Sequence, residues 1–409
     1  MKLLWVKAGG LVPLNVGGKI RSFQLLKALA ERHEITLFTF YAAHPDDQHR
    51  ELDSLFDRVR CMPLDIPTGR GPRELLTYAR HLLSRQPFAF SKYCKPEVAE
   101  SLRHLVAESS FDVIVCDFLV PAPVIPWDAG CPKVVFTHNV EAAIWRRHLA
   151  VARNPLWKLA CWREFRTTDH AERHYLGRAD HVIAVSDADR DTFSEFISPA
   201  KITVVPTGVD LEYFQPGEAQ ERPHRLVFTG AMDWMPNEDA VSFFAESILP
   251  LIRERIPEIE LFIVGRNPTA AVRALDAAHA EVTVTGEVDD IRPFVHESPV
   301  YIVPLRVGGG TRLKIFEAMA MGKAIVSTTI GAEGLPVENG QNVIIADEPG
   351  EFARQVVTLL ENRGQRERIG SAARELVEKR YSWNAASRQF EHALNAAVEV
   401  RRDGATGKR

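Results

Sequence analysis

"VGGGTRLKIFEAMAMGKAIVSTTIGAEGL" (307–335) places a loop without side chains directly before a helix-forming run, and a strand-forming run after it. The apolar segment PVYIVPL (299–305) leads into the glycines, and AIVSTT (324–329) follows the helix. A helix N-terminus exposes free backbone N–H groups and a partial positive charge. Glycines 308–310 let an anion approach the backbone, and Arg312 and Lys314 add cationic side chains, a combination suited to phosphate. Glu317, a lone carboxylate in the apolar helix, can accept hydrogen bonds from a diol such as ribose. The competing reading is a tight strand–helix turn followed by a solvated glutamate. A Walker A loop is excluded, because Gly322-Lys323 is followed by alanine.

Working outward, the same alternation fills the chain. Strand-like runs stand at 3–8, 34–40, 112–118, 133–138, 181–186 and 201–206, with helical patterns between them. The pattern restarts at 225–230 and continues through 259–265, 281–286, 299–305, 324–329 and 342–346. These runs are apolar throughout rather than alternating, which predicts strands buried on both faces of parallel sheets. The segment 206–225, with Pro206, Gly208, Pro216, Gly217 and Pro223, reads as a hinge. The expectation is an α/β chain of two doubly wound, Rossmann-like domains facing a cleft. The boundaries are 1–206 and 207–380. A helix over 381–400 is expected to pack back on the first domain, and a disordered tail to occupy 401–409. Ligands of such sheets bind beyond the carboxyl ends of the strands.

Composition narrows the function classes. A chain of 409 residues exceeds one ordinary core, and 45% hydrophobic with 25% charged residues is typical of a globular protein. A net charge of -4 offers no field for nucleic acid. The five cysteines form no CxxC pair and are odd in number, which fits a reducing cytoplasm rather than a disulfide framework or zinc site. No run reaches the ~18 apolar residues of a membrane span, and the start MKLLWVKAGG is too short in apolar residues for a signal peptide.

Other candidates stand at predicted strand ends. Gly17 and Gly18 open a helix after a long βα loop that lacks GxGxxG spacing. His138 ends an apolar strand in VVFTHNVEAAIW, where an α/β fold turns a side chain toward the cleft; the competing reading is a structural histidine. FTGAMDWMPNEDAV ends its strand at Gly230 and starts a helix at Pro236-Asn237. SDADRD (186–191) contains a DxD pattern, but Ser186 with Asp189 three residues later reads as a capping box, so no metal site is expected. The segment 146–178 holds eight Arg and Lys against three Asp and Glu, with Leu156, Trp157, Leu159, Trp162 and Phe165 among them. Such a helix can lie at an anionic headgroup layer; alternatively its aromatic residues pack on the sheet.

Together these stretches resemble the family 4 glycosyltransferases, which are retaining enzymes of the two-Rossmann-domain (GT-B) fold that use nucleotide sugars. The resemblance covers nearly the whole chain and is closest to the bacterial exopolysaccharide and envelope transferases. Its most specific parts are GAMDWMPNEDAV and the stretch from 303 to 335, supported by FTHNVE and GRADHVIAVSDADRDTF. It implies that Glu317 binds the nucleotide ribose, and that Thr311, Arg312, Leu313 and Lys314 hold the diphosphate. It implies that 1–206 is the acceptor-side domain and 207–380 the nucleotide-sugar-binding domain, that Gly17 and Gly18 close over the donor and that His138 lies near the transferred sugar. Val288, in GEVDD, would contact the base, and Gly230 and Arg266 would face the phosphates. Many members carry a further glutamate eight positions before the ribose carboxylate. Here that position is Gly309, so N–H groups of Gly309 and Gly310 would take over its contact with the donor sugar.

The resemblance implies transfer of a sugar from a nucleoside diphosphate sugar to an acceptor hydroxyl, without metal or cofactor, with Arg312 and Lys314 stabilising the leaving group. The acceptor would be a glycan or a lipid-linked glycan, met in the cytoplasm with peripheral contact at the inner membrane face. Two alternatives share the fold or the ribose carboxylate: a nucleotide-sugar epimerase, and a non-catalytic nucleotide-binding scaffold.

Overall fold

The computed structural model describes residues 1–14, 16–42, 51–66, 72–82, 84–152, 154–217, 220–307 and 313–406. The chain forms two units: Met1–Pro206 with Ala386–Arg409, and Thr207–Ala385.

The first unit is built on a parallel sheet of β1 (Lys2–Ala8), β2 (Glu34–Ala42), β3 (Arg58–Leu64), β4 (Val113–Asp117), β5 (Lys133–Phe136), β6 (His181–Ala184) and β7 (Ile202–Val204), in the order β3-β2-β1-β4-β5-β6-β7. Leu3 through Val6 and Val113 through Cys116 are fully buried. Helices covering both faces explain why these strands show no polar alternation. β3 was not foreseen. Its sequence RVRCMPL alternates arginine with apolar residues and contains Pro63, a pattern an edge strand tolerates.

The helices of this unit are α1 (Gly17–Ala30), α2 (Pro72–His81), α3 (Phe88–Tyr93), α4 (Pro96–Glu108), α5 (Glu141–Val151), α6 (Pro155–Arg178) and α7 (Asp187–Ser194). α7 accounts for the DxD pattern: Ser186 Oγ accepts from the Asp189 N–H at 3.1 Å, while Arg190 pairs with Asp187 and Asp191. α6 starts at Pro155, capped by Asn154, whose Oδ1 accepts from the Leu156 and Trp157 N–H groups at 2.9 and 3.1 Å. Its first two turns carry exposed apolar residues: Leu156 at 79%, Trp157 at 49%, Leu159 at 61% and Trp162 at 50%. Packing on the sheet therefore does not account for these four; Phe165 alone of the group is mostly covered.

The second unit is a parallel sheet of β8 (Arg225–Thr229), β9 (Glu260–Val264), β10 (Val282–Gly286), β11 (Val300–Val303), β12 (Ala324–Ser327) and β13 (Ile344–Ile345), in the order β10-β9-β8-β11-β12-β13. Its helices are α8 (Met235–Phe243), α9 (Leu249–Arg253), α10 (Ala270–Ala278), α11 (Arg292–Glu297), α12 (Leu313–Ala320), α13 (Pro349–Glu361) and α14 (Arg363–Arg380).

The last helix, α15 (Trp383–Thr406), belongs to the first unit from Ala386 onward. Phe390 stacks on Trp5 with centroids 5.3 Å apart and meets Phe136 edge-on at 5.1 Å. Arg32 pairs with Glu391 at 3.1 Å. The tail expected over 401–409 is corrected in part, since the helix runs to Thr406 and Arg401 bonds Asp180 at 2.9 Å, which anchors the added turn. Removing the Phe390 ring should lower stability by about 3–5 kcal/mol. Denaturant titration of Phe390→Ala checks this, and a loss below about 1 kcal/mol would show that the aromatic stack contributes little.

Candidate active site

In the first unit, β4 and β5 end side by side, and each delivers a polar residue. Asp117 Oδ1 accepts from His138 Nε2 at 2.7 Å. Asp117 Oδ2 accepts from Lys7 Nζ and from Trp5 Nε1, both at 2.9 Å. Lys7 Nζ also donates to Ser22 Oγ at 2.9 Å, and Ser22 Oγ donates to the Gly18 carbonyl at 2.9 Å. Asp117, Lys7, Ser22 and His138 are all buried.

Burial alone would raise the Asp117 pKa, but Lys7 and His138 outweigh it and hold the carboxyl below its ordinary range. Burial lowers His138 to about 3, more than the attraction of Asp117 can offset. The imidazole is therefore neutral at physiological pH. A carboxylate only accepts, so Nε2 carries the proton and Nδ1 offers a lone pair. That Nδ1 is buried and has no hydrogen-bond partner among the described residues.

His138 lies just beyond the end of β5, the strand-end position that the sequence predicts. The ring is 2% exposed, because the bond to Asp117 draws it into the network. Phe118 lies flat on it, with centroids 3.6 Å apart and planes 7° from parallel. Phe118 reaches this position with φ at 69°, a left-handed conformation uncommon for an aromatic residue. The glycine pair serves the same packing: a Cβ at Gly18 would lie 2.6 Å from Phe118 Cζ. Gly17 opens α1 beside it. Arg21, also buried and lowered by burial to about 10, donates to the His138 carbonyl at 3.4 Å. Thus Gly18 and His138 are joined through Phe118. Asp117 and Lys7 were overlooked as site residues, although each was visible as a charge within or at the end of an apolar strand.

In the second unit, Gly230 ends β8 and Gly265 follows β9. Both have positive φ, 153° and 151°, and a Cβ at Gly265 would meet the Gly230 carbonyl oxygen at 1.8 Å. A Cβ at Gly230 would lie 2.8 Å from Lys314 Nζ. Lys314 donates to Asn237 Oδ1 at 2.8 Å and lies 3.9 Å above the Phe228 ring. Gly230 and Lys314 are thus neighbours, and Asn237, at the start of α8, is a site residue that its sequence position did not announce.

Leu313 opens α12, and Glu317 sits in its second turn. Burial pushes the Glu317 carboxyl from 4.5 to about 7, with Lys314 opposing. The carboxylate accepts no hydrogen bond from another described residue. An acid left desolvated in this way marks a place where a ligand's donors complete the site. Arg266 follows Gly265, and its carbonyl accepts from the Met232 N–H at 2.9 Å. Val288, two residues past β10, is partly buried against the apolar core. Gly309, Gly310, Thr311 and Arg312 lie outside the described residues. Among the described residues, no group of three or more His, Cys, Asp or Glu is placed to hold a metal ion.

Because the Glu317 carboxyl titrates higher in the folded chain, its contribution to stability is whole in the ordinary carboxylate range and is lost as pH rises through about 7. Glu317→Gln should therefore flatten the fall in stability of the ligand-free protein between about pH 5 and pH 8, a gain of about 1–3 kcal/mol at the upper end. Thermal unfolding across that range is the measurement, and an unchanged profile would assign the titration to another group.

Comparison with known proteins follows the same division. Residues 17–213 match the family described as Glycosyltransferase Family 4, and residues 223–362 match Glycosyl transferases group 1. An uncharacterised glycosyltransferase of Methanocaldococcus jannaschii is 24% identical over 54% of this chain and 59% of its own length, so the chain spans little more than half of that relative. An uncharacterised 44.6 kDa protein of the Klebsiella pneumoniae cps region is 20% identical over 93% of this chain and 96% of its own. Among solved structures, the sucrose-phosphate synthase of Thermosynechococcus elongatus superposes with a TM-score of 0.71 at 17% identity, covering 98% of this chain and 99% of that one. Anabaena HepE, solved with UDP and glucose, gives 0.68 at 16% identity, covering 97% and 100%. With both units matched to glycosyltransferase families and both sheets parallel and Rossmann-like, the chain belongs to the family 4 glycosyltransferases and has the GT-B fold.

Proposed function

We propose that the protein is a retaining, metal-independent glycosyltransferase that moves a hexosyl group from a nucleoside diphosphate sugar to a hydroxyl of a glycan or lipid-linked glycan. We place it in bacterial exopolysaccharide or envelope synthesis. The observation that carries this reading is Glu317, a desolvated carboxylate one turn beyond Lys314 on a helix that follows a glycine loop. Ribose hydroxyls would supply the donors it lacks. Lys314, fixed by Asn237, and Arg312, two residues before it in sequence, would face the diphosphate, with Gly230 keeping the backbone clear. The N–H groups of Gly309, Gly310 and Thr311 would hold the donor, and Leu313, Arg266 and Val288 would border it.

In the reaction, the bond from the anomeric carbon to the phosphate oxygen breaks while the acceptor oxygen bonds the same face. The acceptor proton passes to the departing phosphate, so no protein base is required. Lys314 and Arg312 would stabilise the charge that develops on the leaving group, and such charge-assisted hydrogen bonds contribute about 1.5–3 kcal/mol each. These cations, rather than a metal, would fill this role: Asp187 and Asp191 of the acidic run pair with Arg190, the Asp189 charge acts on Arg21, and the Asp189 N–H caps on Ser186. His138, with its pKa near 3, is too weak a base to remove a hydroxyl proton at neutral pH. Its buried, unpartnered Nδ1 instead suits it to accept a hydrogen bond from a sugar hydroxyl, with Gly17 opening α1 and Gly18 packed against Phe118.

The test is incubation with UDP, GDP, dTDP and ADP sugars, with and without acceptor and with EDTA. Transfer or slow donor hydrolysis that survives chelation, with retained anomeric configuration, is expected. Glu317→Gln should weaken donor binding about ten- to a hundredfold, while His138→Ala should lower turnover and leave nucleotide affinity intact. Sugar interconversion would indicate an epimerase, binding alone a scaffold, and rescue by Mg²⁺ or Mn²⁺ a metal enzyme.

The location proposed is the cytoplasm, with peripheral contact at the inner membrane face. No described helix is long and apolar enough to cross a membrane. What supports contact is the start of α6, where Leu156, Trp157, Leu159 and Trp162 are exposed among Lys158, Arg146 and Arg147. Tryptophan rings favour the interfacial layer, and each nearby cation contributes ~1 kcal/mol at an anionic surface. Cosedimentation with anionic vesicles at low salt should be strong and should fall in the double variant Trp157→Ala, Trp162→Ala. Protein that stays in the supernatant would end the membrane proposal without touching the transfer chemistry.

A further inference from the structure

A pocket of about 300 Å³ lies wholly within the first unit, bounded by α3, α5 and α6. That is the lower end of the range for small-molecule sites, about 300–1,000 Å³. Its walls include Phe88, Ala89 and Tyr93 of α3, Val120 beyond β4 and Trp145 of α5. Two carboxyl groups also line it. Glu164 is already engaged, accepting from the Phe88 N–H at 3.0 Å and the Tyr78 hydroxyl at 3.3 Å. Glu141 is bonded to Asn139, and burial pushes its carboxyl to about 7.

The segments that line the pocket also lead toward the buried network and the surface. Val120 stands two residues past Phe118, whose ring covers His138, and Glu141 stands three past His138. In the other direction, the Trp145 ring lies 6.4 Å from that of Trp157 in the exposed apolar turns of α6. Trp157, Glu164 and Thr168 share one face of that helix, and the latter two line the pocket. Trp145 therefore links the exposed turns of α6 to the pocket, and the segments that line its other side lie within three residues of Phe118 and His138.

We propose that this pocket seats the alkyl or isoprenoid chain of an amphiphilic acceptor, nearest its polar head, with the head turned toward His138. The proposal rests on the reading of the first unit as the acceptor half. A chain fits better than a sugar, because sugar hydroxyls would be left unpaired against Phe88, Val120 and Trp145. Glu141 supplies the one polar contact needed at the junction of chain and head.

The experiment titrates hexyl, octyl and decyl β-glucosides, as monomers, into the full chain by calorimetry, with glucose as control. Affinity should tighten about fourfold for each added methylene until the pocket is full, and glucose should show no binding at the same concentrations. Ala89→Trp, which fills the pocket from a partly exposed position, should weaken octyl glucoside at least tenfold; Val120→Trp does the same from the opposite wall if the first variant fails to fold. Leu251→Ala, an exposed apolar residue of the second unit, should leave the affinity unchanged. Affinity independent of chain length, parent affinity in both filled variants, or loss in Leu251→Ala alone overturns the proposal. Failure of the transferase reading would appear separately, as no nucleotide-sugar thermal shift and no transfer alongside an intact alkyl series.

Discussion

An ionised carboxylate without water must be matched donor for donor, and Asp117 is the group on which the first unit depends. Lys7, Trp5 and His138 reach it from β1 and from the end of β5, and Ser22 of α1 holds Lys7 in turn. Removing one partner of such a group leaves a buried charge uncompensated, commonly at a cost of about 3–5 kcal/mol. The network therefore fixes the register of β1 against β4 and β5 at the carboxyl ends of these strands. It also fixes the histidine tautomer, and with it the direction in which the free lone pair points.

The second unit handles charge in the opposite way. Glu317 is desolvated, with Lys314 only partly offsetting the cost. Lys314 is steered by Asn237 and by the Phe228 face, and the closeness of Gly230 leaves no room for a side chain there. Asp117 is thus matched by its neighbours, whereas Glu317 is not, a contrast that agrees with the proposed division into an acceptor half and a nucleotide half.

Much of the architecture was legible because burial on both faces leaves a plain mark. LLWVKA, DVIVCDF and ELFIV read as strands from apolar continuity alone, whereas RVRCMPL did not, since an edge strand alternates and tolerates proline. Ser186 with Asp189 could be read as a cap because capping is local, spanning three residues. His138 and Glu317 stood out for the same reason, as single polar residues against apolar runs. Asp117 as the partner of His138 could not be read, because the two meet across neighbouring strands at a separation of 21 residues.

The sequence by itself determined two parallel sheets and the glycine-to-helix junctions, which follow from local periodicity and backbone permissiveness, and the resemblance of its motifs gave the family. Only the tertiary structure decided that Phe118 would cover His138, that Gly18 is needed to make room for that ring, and that Lys314 would lie against Gly230 and Asn237. It alone left Leu156, Trp157, Leu159 and Trp162 exposed beside a pocket. The reason is physical: pattern along the chain fixes which face of an element is apolar, but which groups end up within 3 Å of one another depends on strands and helices far apart in sequence.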